Sequence, residues 1–213
     1  LFPYTTLFRS IVNVTPDSFS DGGQHASTTA ALHHCEQLLK EGVDILDIGG
    51  ESTRPGSPPV ALADELARVL PVVREAVRLG VPVSVDTYKP AVMQSVLDLG
   101  ADIINDIWAA RQSGAAQVLA AHPRCGICLM HMHGDPQSMQ VAPMVDDAVP
   151  QVLSFLELQA QNLQALGVEK ARICIDPGIG FGKTVEQNFS LLARQRQLLA
   201  LGYPLLAGWS RKS

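Results

Sequence analysis

Asn13-Val14-Thr15-Pro16-Asp17-Ser18-Phe19-Ser20-Asp21-Gly22-Gly23 decides how this chain is read, because a short apolar strand runs straight into a polar, glycine-ended loop. An active-site loop leaves a barrel strand in this way. Pro16 fixes one backbone angle, Gly22 and Gly23 allow positive φ, and the short Asn, Thr, Asp and Ser side chains suit a phosphate or a hydrated metal. Composition alone equally allows a polar linker ahead of a helix.

The 213 residues can bury one substantial core, and 46% hydrophobic with 17% charged residues is the balance of an ordinary globular domain. A formal charge of −5 argues against a polyanion spread over a wide face, so nucleic acid is not expected as a partner. No run approaches the roughly 18 apolar residues of a membrane span, and no signal peptide is legible, so the expected setting is the cytoplasm and no membrane. Cys125-Gly-Ile-Cys128 has redox or zinc spacing, but on a buried strand that separation puts the thiols on opposite faces, and core packing is the expected role. Cys35 and Cys174 read as equally inert. Residues 1–10, Leu-Phe-Pro-Tyr-Thr-Thr-Leu-Phe-Arg-Ser, read as a translated sequencing adapter and are set aside, leaving one domain over 11–213.

From there, strand and helix patterns alternate. Continuous apolar runs mark strands at about 11–14, 43–49, 81–86, 101–107, 125–132, 171–176 and 203–209, the signature of a parallel sheet covered by helices. Helices are expected at about 27–41, 60–79, 89–99, 113–121, 144–166 and 186–201, with stops at Gly42, Gly80, Gly100, Gly167 and Gly202. Leu62, Leu66, Val69, Val73 and Val77 form an expected buried stripe, and Pro71 should kink or split its helix. The α/β class that follows is a (β/α)8 TIM barrel, truncated after strand seven. A doubly wound open sheet is the alternative, without a Gly-x-Gly-x-x-Gly after strand one to support it.

The chemistry-bearing residues fall at strand ends: Asp47-Ile-Gly-Gly-Glu-Ser-Thr-Arg-Pro-Gly56, Ser84-Val-Asp-Thr87, Ile104-Asn-Asp106, Leu129-Met-His-Met132 and Asp176-Pro-Gly-Ile-Gly-Phe-Gly-Lys183. With the opening loop and Ser210-Arg-Lys-Ser213, this ordered set resembles the dihydropteroate synthases, of the pterin-binding enzyme family, across residues 11–213. The residues make chemical sense of that resemblance. A pterin presents an edge of mixed donors and acceptors, and Asp86, Asn105 and Asp176 would pair with it from inward-facing strand ends, where an unpaired carboxylate is costly. The resemblance also implies that Lys212 contacts the pterin ring and that Met130 and Phe181 pack on its face. It implies Mg2+ held through Asn13, Arg54 countering the diphosphate, and Ser52 and Thr53 lining the place where 4-aminobenzoate enters. Asp17–Gly23 would form a flap over that place.

Some positions are less decided. His131 and His133, two apart on an expected strand, face the same way, a spacing that permits metal ligation but reads as pocket rim or structure. Lys183 reads as a solvated lysine more than a substrate contact. Ile179 and Trp108 depart from the residues common in the family without touching the polar set.

The activity implied is condensation of 6-hydroxymethyl-7,8-dihydropterin diphosphate with 4-aminobenzoate, with Arg54, Asp86 and Lys212 as the catalytic group and a homodimer as the assembly of the full-length enzyme. The alternatives are a methyltetrahydrofolate-binding methyltransferase domain, which shares the pterin edge, and a polypeptide that catalyses nothing. The last follows from the family's Arg-x-His on strand eight, which helps hold the diphosphate and is not found here; with strands one and seven also left as open edges that invite aggregation, weak expression and little turnover are expected of these 213 residues.

Overall fold

The computed structural model describes residues 6–15, 23–53, 56–135, 139 and 141–208. Six parallel strands alternate with helices: β1 Arg9–Asn13, α1 Gly23–Lys40, β2 Ile45–Gly49, α2 Leu62–Ala76, β3 Val83–Asp86, α3 Pro90–Asp98, β4 Ile103–Asp106, α4 Ala115–Ala121, β5 Gly126–Met130, α5 Ala148–Ala165, β6 Ile173–Asp176, α6 Val185–Ala193 and α7 Gln195–Leu199. The chain divides into two compact units, the first made of residues 1–52 and 59–104 and the second of 53–58 and 105–213.

In the first unit β1 pairs with β2 from Arg9↔Ile45 to Asn13↔Gly49, and β2 with β3 from Leu46↔Val83 to Gly49↔Asp86. Strand β1 thus begins inside the segment set aside as an adapter. The carbonyl of Phe8 accepts the Asp44 and Ile45 N–H groups at 2.9 and 3.1 Å, and Arg9 forms an ion pair with Asp47 at 3.5 Å. Strand pairing uses backbone groups that every residue carries, so the origin of the side chains does not exclude them. Leu46, Ile48, Val83 and Val85 are fully buried, as are Val69, Val72, Val73 and Ala76 of α2 and Met93 of α3.

The buried stripe of α2 is rotated by about one position from the expected one. Leu62 is exposed and Leu66 and Val77 are half-buried, while Glu65 takes the inward position. Apolar spacing alone cannot anticipate a carboxylate on the inner face. Helix α2 also runs unbroken through Pro71.

In the second unit β5 pairs with β6 from Ile127↔Ile173 to Met130↔Asp176. The strand expected at 203–209 is reduced to a parallel bridge of Leu205 to Ile175. Alternate residues of a parallel strand serve the same neighbour, so a four-residue β6 offers two such positions at most. Leu119, Leu129, Leu156 and Leu163 fill the core. The helix expected at 186–201 divides at Arg194, whose side chain pairs with Asp147, the N-cap of α5. The glycine stops hold, with φ between +74° and +101° at Gly42, Gly80, Gly100, Gly167 and Gly202.

All four cysteines are free thiols. Cys125 precedes β5, so the alternation argument for the Cys125–Cys128 pair does not reach it. Burial pushes the Cys35 thiol up to about 11. Among the described residues no helix is long and apolar enough to cross a membrane.

Arg172 ties the second unit together at the entry to β5. Its guanidinium donates to the carbonyls of Cys125, Leu119 and His122, each at 2.8 Å. Removing a charged donor strands carbonyls that have little water, so Arg172→Met should lower the unfolding free energy by about 2–4 kcal/mol in urea titrations; a loss under about 0.5 kcal/mol would contradict this role.

Candidate active site

In the first unit, parallel register puts Asn13, Gly49 and Asp86 in one cross-strand row at the C-terminal ends of β1, β2 and β3. Asn13 is exposed and Asp86 half-buried. Between them Gly49 presents no side chain, and a Cβ there would be in ordinary van der Waals contact with the Asp86 Cβ at 3.5 Å. At Gly50 a Cβ would come within 2.6 Å of the Val69 side chain, so helix α2 can lie this close only against glycine. Arg68 fastens the same turn by donating to the Gly50 carbonyl at 2.9 Å.

The next residue, Glu51, enters a buried ionic network that the sequence reading missed. Lys89 donates to both Glu51 and Glu65, Tyr88 donates to Glu51 at 3.0 Å, and Thr87 donates to Glu65 at 2.7 Å. Glu65 has a side chain only 1% exposed. A carboxylate in the apolar stripe of an amphipathic helix is the signal that could have disclosed the network, because burial demands a partner. Burial pulls the Lys89 ammonium down, and the hydrogen bonds and charges of the two carboxylates outweigh it and raise it. The network joins the segment before Ser52 to the segment after Asp86.

In the second unit Asn105 is buried near the end of β4, next to a fully buried Asp106. The Asp106 carboxylate accepts the N–H groups of Trp108 at 2.8 Å and Ala110 at 2.7 Å. These bonds hold Ala109 and Ala110 at φ +54° and +59°, left-handed geometry that costs about 1–2 kcal/mol for a residue with a Cβ. Burial pushes Asp106 up to about 6, with the two N–H donors and Arg111 opposing. Arg111 lies over the rings of Trp108 and Phe155, 5.2 and 5.3 Å from their centroids.

Strand β6 ends on a buried Asp176, paired in register with a buried Met130. Asp176 accepts the Gly178 N–H at 2.7 Å. Phe181 and Ile179 are half-buried in the loop that follows. Lys183 corrects the expectation of a solvated side chain: the residue is 4% exposed and its ammonium donates to the carbonyls of His131, Gly178 and Phe181. Burial pushes it down to about 7, against the pull of Asp176. Sequence hides this, because a lysine after a glycine loop looks the same whether its stem leads outward or inward.

His131 and His133 also part company. Strand β5 stops at Met130, so the two-residue alternation of a strand does not apply to them. His133 is exposed, while His131 is buried edge-on to Phe155 at 5.0 Å, its Nδ1 without a hydrogen-bond partner. Burial, then the Lys183 charge, drives His131 down to about 3. Ser52 and Thr53 are described and half-buried. Arg54, Lys212 and Asp17–Gly22 lie outside the described residues.

Residues 9–213 match the family described as pterin binding enzyme. The chain belongs to the pterin-binding enzyme family. It is 50% identical over 206 residues to the dihydropteroate synthase of Neisseria meningitidis serogroup C, covering 95% of this chain and 73% of that one. Among solved structures it resembles the Xanthomonas albilineans dihydropteroate synthase with 4-aminobenzoic acid, at TM-score 0.90 and 48% identity over 97% of this chain and 73% of the other. The Burkholderia cenocepacia dihydropteroate synthase complexed with 7,8-dihydropteroate follows at TM-score 0.85 and 48% identity, over 98% of this chain and 73% of that one. This member of the pterin-binding family therefore has their α/β fold, the (β/α)8 barrel, over a partial length.

The buried histidine makes a pH prediction. His131 stays neutral in the fold down to about 3, while the unfolded chain takes up its proton below about 6.5, so stability is present above 6.5 and lost as pH falls toward 3. The native protein should lose up to about 2 kcal/mol more than His131→Leu between pH 7 and pH 5. Equal losses in urea titrations of the two proteins would contradict the neutral assignment.

Proposed function

We propose that this protein catalyses dihydropteroate synthesis, joining 6-hydroxymethyl-7,8-dihydropterin diphosphate to 4-aminobenzoate with release of diphosphate. The C–O bond to the diphosphate breaks, the C–N bond to the aromatic amine forms, and the amine gives up a proton. The observation that carries this reading is the placement of polar side chains at strand ends, Asp86 closing β3, Asn105 near the end of β4 and Asp176 closing β6, in a chain 50% identical to a synthase.

Each group has a part. Asn105, Asp176 and Asp86 are assigned to the donor and acceptor edge of the pterin, and Met130 and Phe181 to its face. Ser52 and Thr53 are assigned to the 4-aminobenzoate entry, Arg54 to the diphosphate charge and Lys212 to the pterin ring. The reaction needs charge stabilisation more than covalent chemistry, since a diphosphate leaves with electrons from the C–O bond and a cation develops at the carbon left behind. Asp86, fixed beside Gly49 at its strand end, is the carboxylate assigned to that developing charge. The bound pterin is then held at close range for attack by the amine.

Mg2+ fits this assignment at Asn13. The amide is exposed at the end of β1 and offers one neutral oxygen, the kind of donor that suits an ion retaining waters and taking other ligands from phosphate oxygens. When bound, Mg2+ would neutralise charge on the leaving diphosphate. The reading extends to the cytoplasm and, for the full-length enzyme, to a homodimer; Val185 and Phe189, one turn apart on α6 and 65% and 67% exposed, suit a covered apolar face.

The test is diphosphate release with both substrates, either one, or neither, with pterin binding followed by calorimetry beside it. Release should require both substrates; release with one alone, or no pterin binding, would contradict the proposal. Asp86→Asn should lower kcat about 100-fold while inorganic diphosphate binds within about threefold of wild type. Equal loss of both would remove Asp86 from this role.

A further inference from the structure

We propose that Lys183 is a positioning residue for the pterin subsite, its ammonium gathering the carbonyls of His131, Gly178 and Phe181 and so holding the Asp176 carboxylate in place. The inference rests on the synthase reading, which gives Asp176 to the pterin. Two backbone segments approach unusually closely here. A Cβ at Gly178, where φ is +66°, would stand 1.9 Å from the His131 carbonyl oxygen, and one at Gly182 would stand 2.5 Å from that of His133. The loop after β6 therefore lies directly against the segment after β5, and no residue with a side chain fits at those points.

That approach brings carbonyl oxygens together, and their dipoles repel unless a donor stands among them. Lys183 supplies it, at 3.2 Å to His131, 2.9 Å to Gly178 and 3.1 Å to Phe181. An ammonium has three donors and no acceptor, so three carbonyls satisfy it fully. Burial of a lysine is otherwise costly, and the Asp176 charge offsets part of that cost.

The link to Asp176 runs through two of the same residues. His131 gives its carbonyl to Lys183 and its N–H to the Asp176 carbonyl at 2.9 Å. Gly178 gives its carbonyl to Lys183 and its N–H to the Asp176 carboxylate at 2.7 Å. Lys183 thus bonds the carbonyls of two residues whose N–H groups hold Asp176, His131 holding its backbone and Gly178 its side chain. Without the ammonium the carbonyls turn apart and the carboxylate loses its orientation, though it remains in place to bind.

Lys183→Met keeps the stem and removes the donors. Calorimetry with the pterin diphosphate should give a Kd weakened about tenfold or more, while the KM for 4-aminobenzoate stays within about twofold. Lys183→Arg, which keeps the charge, should recover part of the lost affinity. An unchanged Kd overturns the inference, and so does equal weakening toward both substrates, which a merely structural lysine would give. If Lys183→Met does not fold, Lys183→Leu, which also lacks the donors, carries the same comparison with the same outcomes. A wild-type protein that binds no pterin overturns the synthase reading instead, and this inference with it.

Discussion

Parallel pairing sets Asn13, Gly49 and Asp86 side by side in the first unit and Met130 beside Asp176 in the second. Because β1, β2 and β3 run the same way, their last residues fall in one row, and the side chains of Asn13 and Asp86 stand on either side of a residue that has none. The same rule sets Met130 beside Asp176 in the second unit. Reverse any one strand, and a chemistry-bearing residue would move to the opposite end of the sheet. These groups are thus delivered by backbone hydrogen bonds, and Asn13, Asp86, Asn105, Met130 and Asp176 need only to occupy the last position or two of their strands.

What strand pairing delivers, buried charge then holds. Glu65, Asp106 and Lys183 are among the buried ionisable groups of the chain, and each is bonded to the loop that follows a strand. Lys89 and Thr87 satisfy Glu65, two backbone N–H groups satisfy Asp106, and three carbonyls satisfy Lys183. A packed apolar group could not do this work, because loops carry unpaired N–H and C=O groups that need donors and acceptors of their own. The arrangement costs desolvation. It also keeps strained geometry in place, as with the left-handed Ala109 and Ala110 under Asp106.

The strand ends and the glycine stops were legible because both depend on local chemistry: a continuous apolar run ends on a polar residue, and a helix ends where φ turns positive. The phase of α2 was not, since Glu65 reads as a surface residue until Lys89 and Thr87 are brought beside it from the loop after β3. Lys183 was misread for a similar reason, because its carbonyl partners come from its own loop and from His131 on another. The histidines were misjudged by two residues of strand length. A pattern of period two says nothing once β5 has ended at Met130.

If these strand ends recognise a pterin, Asp176 is the side chain whose loss is felt most sharply. Calorimetric titration with 7,8-dihydropteroate should show wild-type binding that Asp176→Asn weakens by about tenfold or more, with the melting midpoint kept within a few degrees. An affinity unchanged by the substitution would contradict that recognition.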